Sequence, residues 1–174
     1  MQDINDLDTV LIRELPVLKR FAMALTRERY AADDLVQDTL EKAILAWPSR
    51  RRQEAARAWL CSILYRHFLD GQRRSGRLRK LLQRFSSAEP ETVTLEQQLQ
   101  DQQALGEFAR LPEAQRSILM LISVEGMSYE EVSDVLGVPL GTVMSRLSRA
   151  RQAYRQLLAE QPPAAAPASL RVVK

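Results

Sequence analysis

The stretch from Gly126 to Arg151 constrains the fold of this chain more than any other part of its sequence. It reads GMSYEEVSDVLGVPLGTVMSRLSRAR and has the form of a helix-turn-helix. Ser128 and Glu131 stand at the spacing of a capping box, which predicts a short helix directly after the serine. Gly137 predicts the end of that helix, because glycine accepts the left-handed conformation found there. Pro139 then suits the entry to a second helix.

The second helix of this motif is amphipathic. At about 100° per residue, its inward face is apolar and consists of Val143, Leu147, Ala150 and Tyr154. Small polar and basic side chains point outward, which suits a DNA major groove, since arginine can pair with a guanine edge or with phosphate. The solvated face of an ordinary helical hairpin is the alternative. The candidate DNA-contacting residues are Thr142, Met144, Ser145, Arg146, Ser148, Arg149 and Arg151.

Composition favours an all-α chain without disulfides. Of 174 residues, 45% are hydrophobic, only 6% are aromatic and six are glycine, a profile typical of helical proteins. The net charge of +3 is compatible with a nucleic-acid partner but does not establish one. The single cysteine excludes an intrachain disulfide and favours a reducing, cytoplasmic location. Since no apolar run is long enough to cross a bilayer and no secretory signal is present, we expect no membrane insertion.

The N-terminal third predicts two helices. Residues 1 to about 9 are polar and are expected to be frayed, whereas leucines at helical spacing predict a helix over residues 10–29. Pro16 predicts either a kink in that helix or its true first turn.

A second helix follows in the segment ADDLVQDTLEKAILAW. Asp33 and Asp34 are expected in its first turn, where acidic residues suit the helix dipole. Its predicted buried stripe consists of Val36, Leu40, Ala43, Ile44 and Trp47. Its predicted outer face consists of Asp34, Gln37, Asp38, Glu41 and Leu45. A solvated face is the ordinary interpretation of that pattern, and a docking surface is the alternative.

A basic segment comes next. Pro48 ends the acidic helix, and Arg50, Arg51 and Arg52 are placed to meet phosphate in the loop that follows. A helix is then predicted over residues 55–74. Cations interleaved with aromatic rings suit a single-stranded or melting duplex. The candidate residues are Arg57, Trp59, Tyr65, Arg66, Arg73 and Arg74. The alternative is that the aromatic residues belong to the core.

Two helical domains are expected: residues 10–75 and residues 104–160, with a flexible linker over residues 76–103. The Pro/Ala-rich tail, residues 161–174, is expected to be disordered. Cys61 and His67 have no partners at metal-ligand or catalytic spacing, so no metal, no cofactor and no enzyme activity are expected.

The segments ADDLVQDTLEKA, AWLCSILYRHFLDGQRR and MSYEEVSDVLGVPLGTVMSRLSRARQ, in this order, resemble bacterial RNA polymerase sigma factors of the extracytoplasmic-function group. The resemblance covers residues 10–158. It implies a region 2 and a region 4 joined by a linker, and a protein without catalytic activity. The partners it implies are core RNA polymerase, promoter DNA and an anti-sigma protein.

The resemblance also implies roles for the candidate residues. Asp33, Asp34, Gln37, Asp38 and Glu41 would bind core polymerase. Residues 48–74 would bind the −10 element as a non-template single strand with a flipped base. The helix over residues 140–154 would read the −35 element. Many relatives carry Asn in place of Arg66, so the resemblance does not carry over a base preference at −10. Several carry Arg in place of Met144, so at −35 more weight falls on Ser145, Ser148 and Arg149.

Two other function classes stay open from the residues. One is a helix-turn-helix regulator that binds duplex DNA as a dimer without polymerase. The other is a sigma mimic that binds an anti-sigma protein and no DNA. The arginines at positions 146, 149 and 151 argue against the mimic.

Overall fold

The computed structural model of the chain describes residues 2–49, 56–85 and 105–160, with the side chains of residues 7–48, 56–77 and 105–160. All regular elements in these ranges are helical, which confirms the all-α fold class. The helices are α1 (Gln2–Thr26), α2 (Arg29–Ala46), α3 (Ala56–Phe85), α4 (Glu113–Leu119), α5 (Tyr129–Leu136) and α6 (Leu140–Ala159). Short 3₁₀ segments lie at Trp47–Ser49 and Gly106–Arg110, and a π-helical turn, Met120–Val124, extends α4.

Helices α1, α2 and α3 pack on one another and form the N-terminal part of the molecule. Helix α1 begins at Gln2, so the prediction that residues 1 to 9 are frayed is wrong for the residues described. Burial of Leu7 and Val10 accounts for the longer helix, because the bundle gains their apolar area. Pro16 lies well inside α1, which excludes it as the first turn.

Helix α2 begins earlier than its sequence predicted. The carboxylate of Glu28 caps it and accepts hydrogen bonds from the amides of Tyr30 and Ala31, both at 2.8 Å. Asp33 and Asp34 therefore lie beyond the first turn. Ile44, predicted to be buried, is 51% exposed. The buried residues of α2 are Ala32, Leu35, Val36, Thr39 and Ala43. Ile44 is rotated about 100° around the helix axis from Ala43, the last of them, and so points away from the core.

Helix α3 is longer than expected. It continues to Phe85, so the first ten residues of the predicted linker, 76–85, belong to a helix. The rest of that linker and the predicted disordered tail, residues 161–174, lie outside the described residues.

The C-terminal part, residues 105–160, packs directly against the N-terminal part. Within it, α6 packs on α4 and α5. Helix α4 also packs on α1, and α5 packs on α3. A single buried hydrophobic cluster runs through both parts, from Phe21 and Leu64 to Leu121 and Val143. This arrangement places the helix-turn-helix beside the basic helix α3.

Candidate DNA- and polymerase-binding surfaces

The turn between α5 and α6 is built as the sequence predicts. The Ser128 hydroxyl accepts from the Glu131 amide at 3.1 Å, and the Glu131 carboxylate accepts from the Ser128 amide at 2.8 Å. Gly137 ends α5 in the left-handed conformation, with φ of 64°. The Ser133 hydroxyl donates to the Val138 carbonyl at 2.6 Å, which ties the end of α5 to the turn. These contacts fix the angle at which α6 leaves the turn.

Helix α6 presents the predicted outward face. Val143, Leu147 and Ala150 are buried, which confirms its inward stripe. The predicted DNA-contacting residues that are exposed are Met144, Ser145, Ser148, Arg149 and Arg151. The other two predicted residues, Thr142 and Arg146, are half-buried rather than exposed. An exposed row of small and cationic side chains on a rigidly mounted helix has the chemistry required to enter a major groove.

The candidate residues of α3 fall into two groups. Arg66, Arg73 and Arg74 are exposed along the helix. Arg57, in contrast, donates to a Glu14 carboxylate oxygen at 2.7 Å and to the Glu125 carbonyl at 3.2 Å. Arg50, Arg51 and Arg52 lie outside the described residues.

The aromatic candidates of α3 are both packed. Tyr65 is only 7% exposed and stacks on Phe21, with ring centroids 6.3 Å apart. Trp59 is half-buried and meets Trp47 edge to face at 6.0 Å. In this arrangement the two rings behave as boundary or core residues, the alternative left open by the sequence.

Tyr65 also meets the C-terminal part. Burial raises the pKa of its phenol, Glu113 of α4 raises it further, and the nearby Arg146 of α6 opposes both effects. The phenol of Tyr65, a residue predicted to bind the −10 strand, is therefore within electrostatic range of Arg146, a residue predicted to bind the −35 duplex. Nothing in the local sequence signals this meeting.

The acidic face of α2 is open. Its five predicted polymerase-contacting residues, Asp33, Asp34, Gln37, Asp38 and Glu41, are all exposed. Leu45 beside them is 83% exposed. His67 of α3 contacts Lys42 through Nδ1 and the Asp38 carboxylate through Nε2, the latter at 2.7 Å. Sequence reasoning missed this histidine as a support for the acidic face.

Polar contacts between the two parts of the molecule were also missed. Glu125, which follows the π-helical turn, accepts from Arg20 of α1 at 2.7 and 2.8 Å. Arg116 of α4 is 4% exposed and donates to the carbonyls of Ala24 and Leu25 at 2.6 and 3.2 Å. Burial and the neighbouring Arg27 lower the pKa of the Arg116 guanidinium.

Within the described residues, no group of histidine, cysteine and carboxylate side chains could hold a metal ion. No helix in the same ranges is both long and apolar enough to cross a membrane.

Both parts of the chain match families of known proteins. Residues 102–153 match the family model described as Sigma-70, region 4, and residues 11–66 match the one described as Sigma2 domain of PhyR. The ECF RNA polymerase sigma factor EcfG of Rhodopseudomonas palustris is 30% identical, over 85% of this chain and 82% of its own length. The ECF RNA polymerase sigma factor SigC of Mycobacterium tuberculosis is 36% identical, over 76% of this chain and 71% of its own.

Solved structures show the same architecture. The sigma factor RpoE of Bartonella quintana, in complex with the anti-sigma factor NepR, aligns with a TM-score of 0.73 at 31% identity. The alignment covers 90% of this chain and 99% of that one. CnrH, in complex with the cytosolic domain of CnrY, aligns with a TM-score of 0.63 at 25% identity, over 89% of each chain.

Proposed function

This chain belongs to the extracytoplasmic-function RNA polymerase sigma factors, and we propose that it directs core polymerase to promoters through three separate surfaces. The outward face of α6 reads the −35 duplex. Helix α3, with the loop before it, takes the −10 element as a single strand. The acidic face of α2 binds core polymerase. The protein has no catalytic chemistry of its own and acts in the bacterial cytoplasm, where transcription takes place.

The observation that supports this proposal best is the exposed face of α6. Ser145, Ser148 and Arg149 lie in the open on a helix whose opposite side is fixed in the core. The capped turn before it holds the helix in one orientation, so few degrees of freedom are lost on binding. Small side chains permit close approach, and Arg149 then reaches a base edge or a phosphate.

The acidic face of α2 suits a protein partner with basic side chains. Asp34, Asp38 and Glu41 are exposed on one helix, and the exposed Leu45 adds an apolar contact. Isolated negative charges would repel a DNA backbone, so this surface is better suited to polymerase than to the promoter. Charge complementarity of this kind speeds association and sets specificity.

We propose in addition that an anti-sigma protein controls the chain. Support comes from the solved structure of RpoE, which contains the anti-sigma factor NepR, and from that of CnrH, which contains the cytosolic domain of a second protein, CnrY.

Run-off transcription with purified core polymerase tests the proposal. A genomic promoter library is transcribed with core enzyme alone and with core enzyme plus this protein. We expect discrete products only when the protein is present. Absence of any protein-dependent product, combined with specific binding to duplex DNA as a dimer without polymerase, would instead support a helix-turn-helix regulator.

A further inference from the structure

A histidine of α3 lies between two oppositely charged residues of α2. The His67 ring contacts the Lys42 ammonium through Nδ1 and the Asp38 carboxylate through Nε2, the latter at 2.7 Å. The His67 side chain is 18% exposed, whereas that of Asp38 is 52% exposed. The ring is therefore held where the two helices meet, and the carboxylate that it holds faces solvent.

The two contacts together determine which ring nitrogen of His67 carries the proton. An ammonium group can only donate hydrogen bonds, and an ionised carboxylate can only accept them. Nδ1 therefore accepts from Lys42 while Nε2–H donates to Asp38, and only the neutral Nε2–H tautomer satisfies both partners. A protonated ring would instead direct a second N–H group at the ammonium. His67 thus binds Asp38 without bringing a positive charge to it.

Lys42 is the cation positioned to neutralise Asp38. The two residues are four positions apart on α2, with the carboxylate N-terminal to the ammonium, which is the favourable order for an ion pair on a helix. Among the residues that the structure describes, however, no ion pair joins these two directly. The imidazole ring contacts each of them instead and so keeps them apart.

Glu41, another carboxylate of the acidic face, has a similar partner. Its Oε1 accepts a hydrogen bond from the side-chain amide of Gln37 at 3.2 Å, and this donor is also neutral. A surface that attracts a basic partner is weakened when its carboxylates pair with cations of its own chain. Neutral donors hold both carboxylates in place without cancelling their charge.

We propose that His67 is a positioning residue for polymerase binding: it fixes the Asp38 carboxylate toward solvent and keeps Lys42 from pairing with it. This inference rests on the proposed function, because it takes the acidic face of α2 as the polymerase-binding surface. A carboxylate that is already oriented loses less side-chain freedom on binding, and one without an ion pair has none to break first. His67 itself lies beneath that face and acts through Asp38.

Substitutions of His67 separate the contributions of its two ring nitrogens. A glutamine side chain is long enough to place an N–H group where Nε2 lies, whereas asparagine reaches only the place of Nδ1. His67→Gln should therefore bind core polymerase as wild type does, and His67→Asn and His67→Phe should bind about fivefold more weakly. Fluorescence anisotropy of each labelled full-length protein with purified core enzyme measures these affinities. Urea denaturation checks that each variant is folded in the assay.

Two further backgrounds test whether His67 acts through its neighbours. With Asp38→Asn present, His67→Phe should cause no further loss, because the carboxylate that it positions is gone. With Lys42→Met present, the loss should fall to about twofold, since only the orientation of Asp38 is then affected. Glu130→Gln, which removes an exposed carboxylate of α5, is the matched control for Asp38→Asn and should leave the fivefold loss intact.

The tautomer of His67 is measured directly, because it is the one histidine of the chain. Nitrogen NMR of the untagged full-length protein, isotope-labelled on histidine, distinguishes Nε2–H from Nδ1–H at about pH 8, where an ordinary histidine is neutral. We expect the Nε2–H form. This measurement requires neither polymerase nor a substitution, so it tests the contact geometry even where a variant fails to fold.

Three results would overturn the positioning role: an Nδ1–H tautomer, wild-type affinity of His67→Asn, or a loss from His67→Phe that is unchanged by Asp38→Asn or by Lys42→Met. Failure of the proposed function gives a different result. Polymerase binding that is absent, or that is insensitive to reversal of Asp38 and Glu41 to arginine, rejects α2 as the binding surface. Sensitivity to that reversal, together with full affinity of His67→Phe, rejects the positioning role alone.

Discussion

Helices α2 and α3 are neighbours in one bundle, yet they present their charged side chains in opposite ways. The acidic residues of α2 face outward, and those that make side-chain contacts do so mostly within the N-terminal part, such as Asp38 with His67. On α3, Arg57 is held by Glu14 and Glu125, and Tyr65 is buried and stacks on Phe21 of α1. The acidic surface of α2 is therefore open throughout. The candidate surface of α3 is divided, because Arg66, Arg73 and Arg74 are exposed while Arg57 and Tyr65 are engaged within the protein.

The largest effect is expected for binding of core polymerase by the exposed acidic face of α2. Reversing Asp38 and Glu41 together to arginine should weaken binding to core polymerase by about 2–4 kcal/mol, because attraction is replaced by repulsion at a protein interface. Fluorescence anisotropy with labelled protein and purified core enzyme measures the change.

The matched control for this prediction reverses two exposed carboxylates of α5, Glu130 and Asp134, which makes the same change in net charge. That variant should bind core polymerase as wild type does. Equal affinity of both charge-reversed variants would remove the role proposed for α2 and, with it, half of the contrast with α3.

Helix α6 carries both exposed and partly covered arginines, since Arg149 is exposed and Arg146 is half-buried. Arg149→Ala should reduce discrimination between a selected −35 duplex and a scrambled one by about 1–3 kcal/mol, the loss expected for a base contact. Competition binding measures it on duplexes chosen by selection from a random library.

Arg155→Ala serves as the control on the same helix, because Arg155 is exposed one turn beyond Arg151 and donates to its carbonyl at 3.2 Å. It should leave discrimination unchanged. A uniform loss of affinity on both duplexes in Arg149→Ala would make that arginine a phosphate contact and would show that exposure alone does not identify a base reader.

The features that were predicted correctly from the sequence are those that depend on residues close together in the chain. The capping box at Ser128, the left-handed Gly137 and the buried stripe from Val143 to Ala150 all follow from contacts within a few residues, and the structure confirms them. The exposure of Leu45 was predicted in the same way, from helical periodicity.

The covered state of α3 could not be predicted from such patterns. Periodicity places Tyr65 and Arg57 on a helix face, but it does not state which distant element packs there. The contacts between the two parts of the molecule are remote in sequence: Arg116 binds a carbonyl of α1 92 residues away, and Arg57 of α3 binds one 68 residues away. A buried arginine in α4 has no local signature, because arginine is also the ordinary residue of a solvated helix face.

The smallest effect concerns Glu14, which holds Arg57 away from its proposed partner on DNA. Burial alone would raise the pKa of the Glu14 carboxyl, but hydrogen bonds from Arg57 and Arg13 outweigh it and lower that pKa. A carboxyl with a lowered pKa in the folded state stabilises it above the pKa of the unfolded chain, and this contribution is lost as the pH falls through the folded-state value. The wild type should therefore lose stability on acidification below about pH 4.5.

Glu14→Gln should be less stable than wild type at pH 7 and should show a shallower loss of stability between about pH 5 and pH 3, because the titrating group has been removed. Urea denaturation at a series of pH values measures both. Glu41→Gln, which changes an exposed carboxylate instead, should retain the wild-type profile. If Glu14→Gln kept that profile too, Arg57 would not depend on Glu14 for its position, and the contrast between α2 and α3 would rest on Glu125 and the packing of α5 alone.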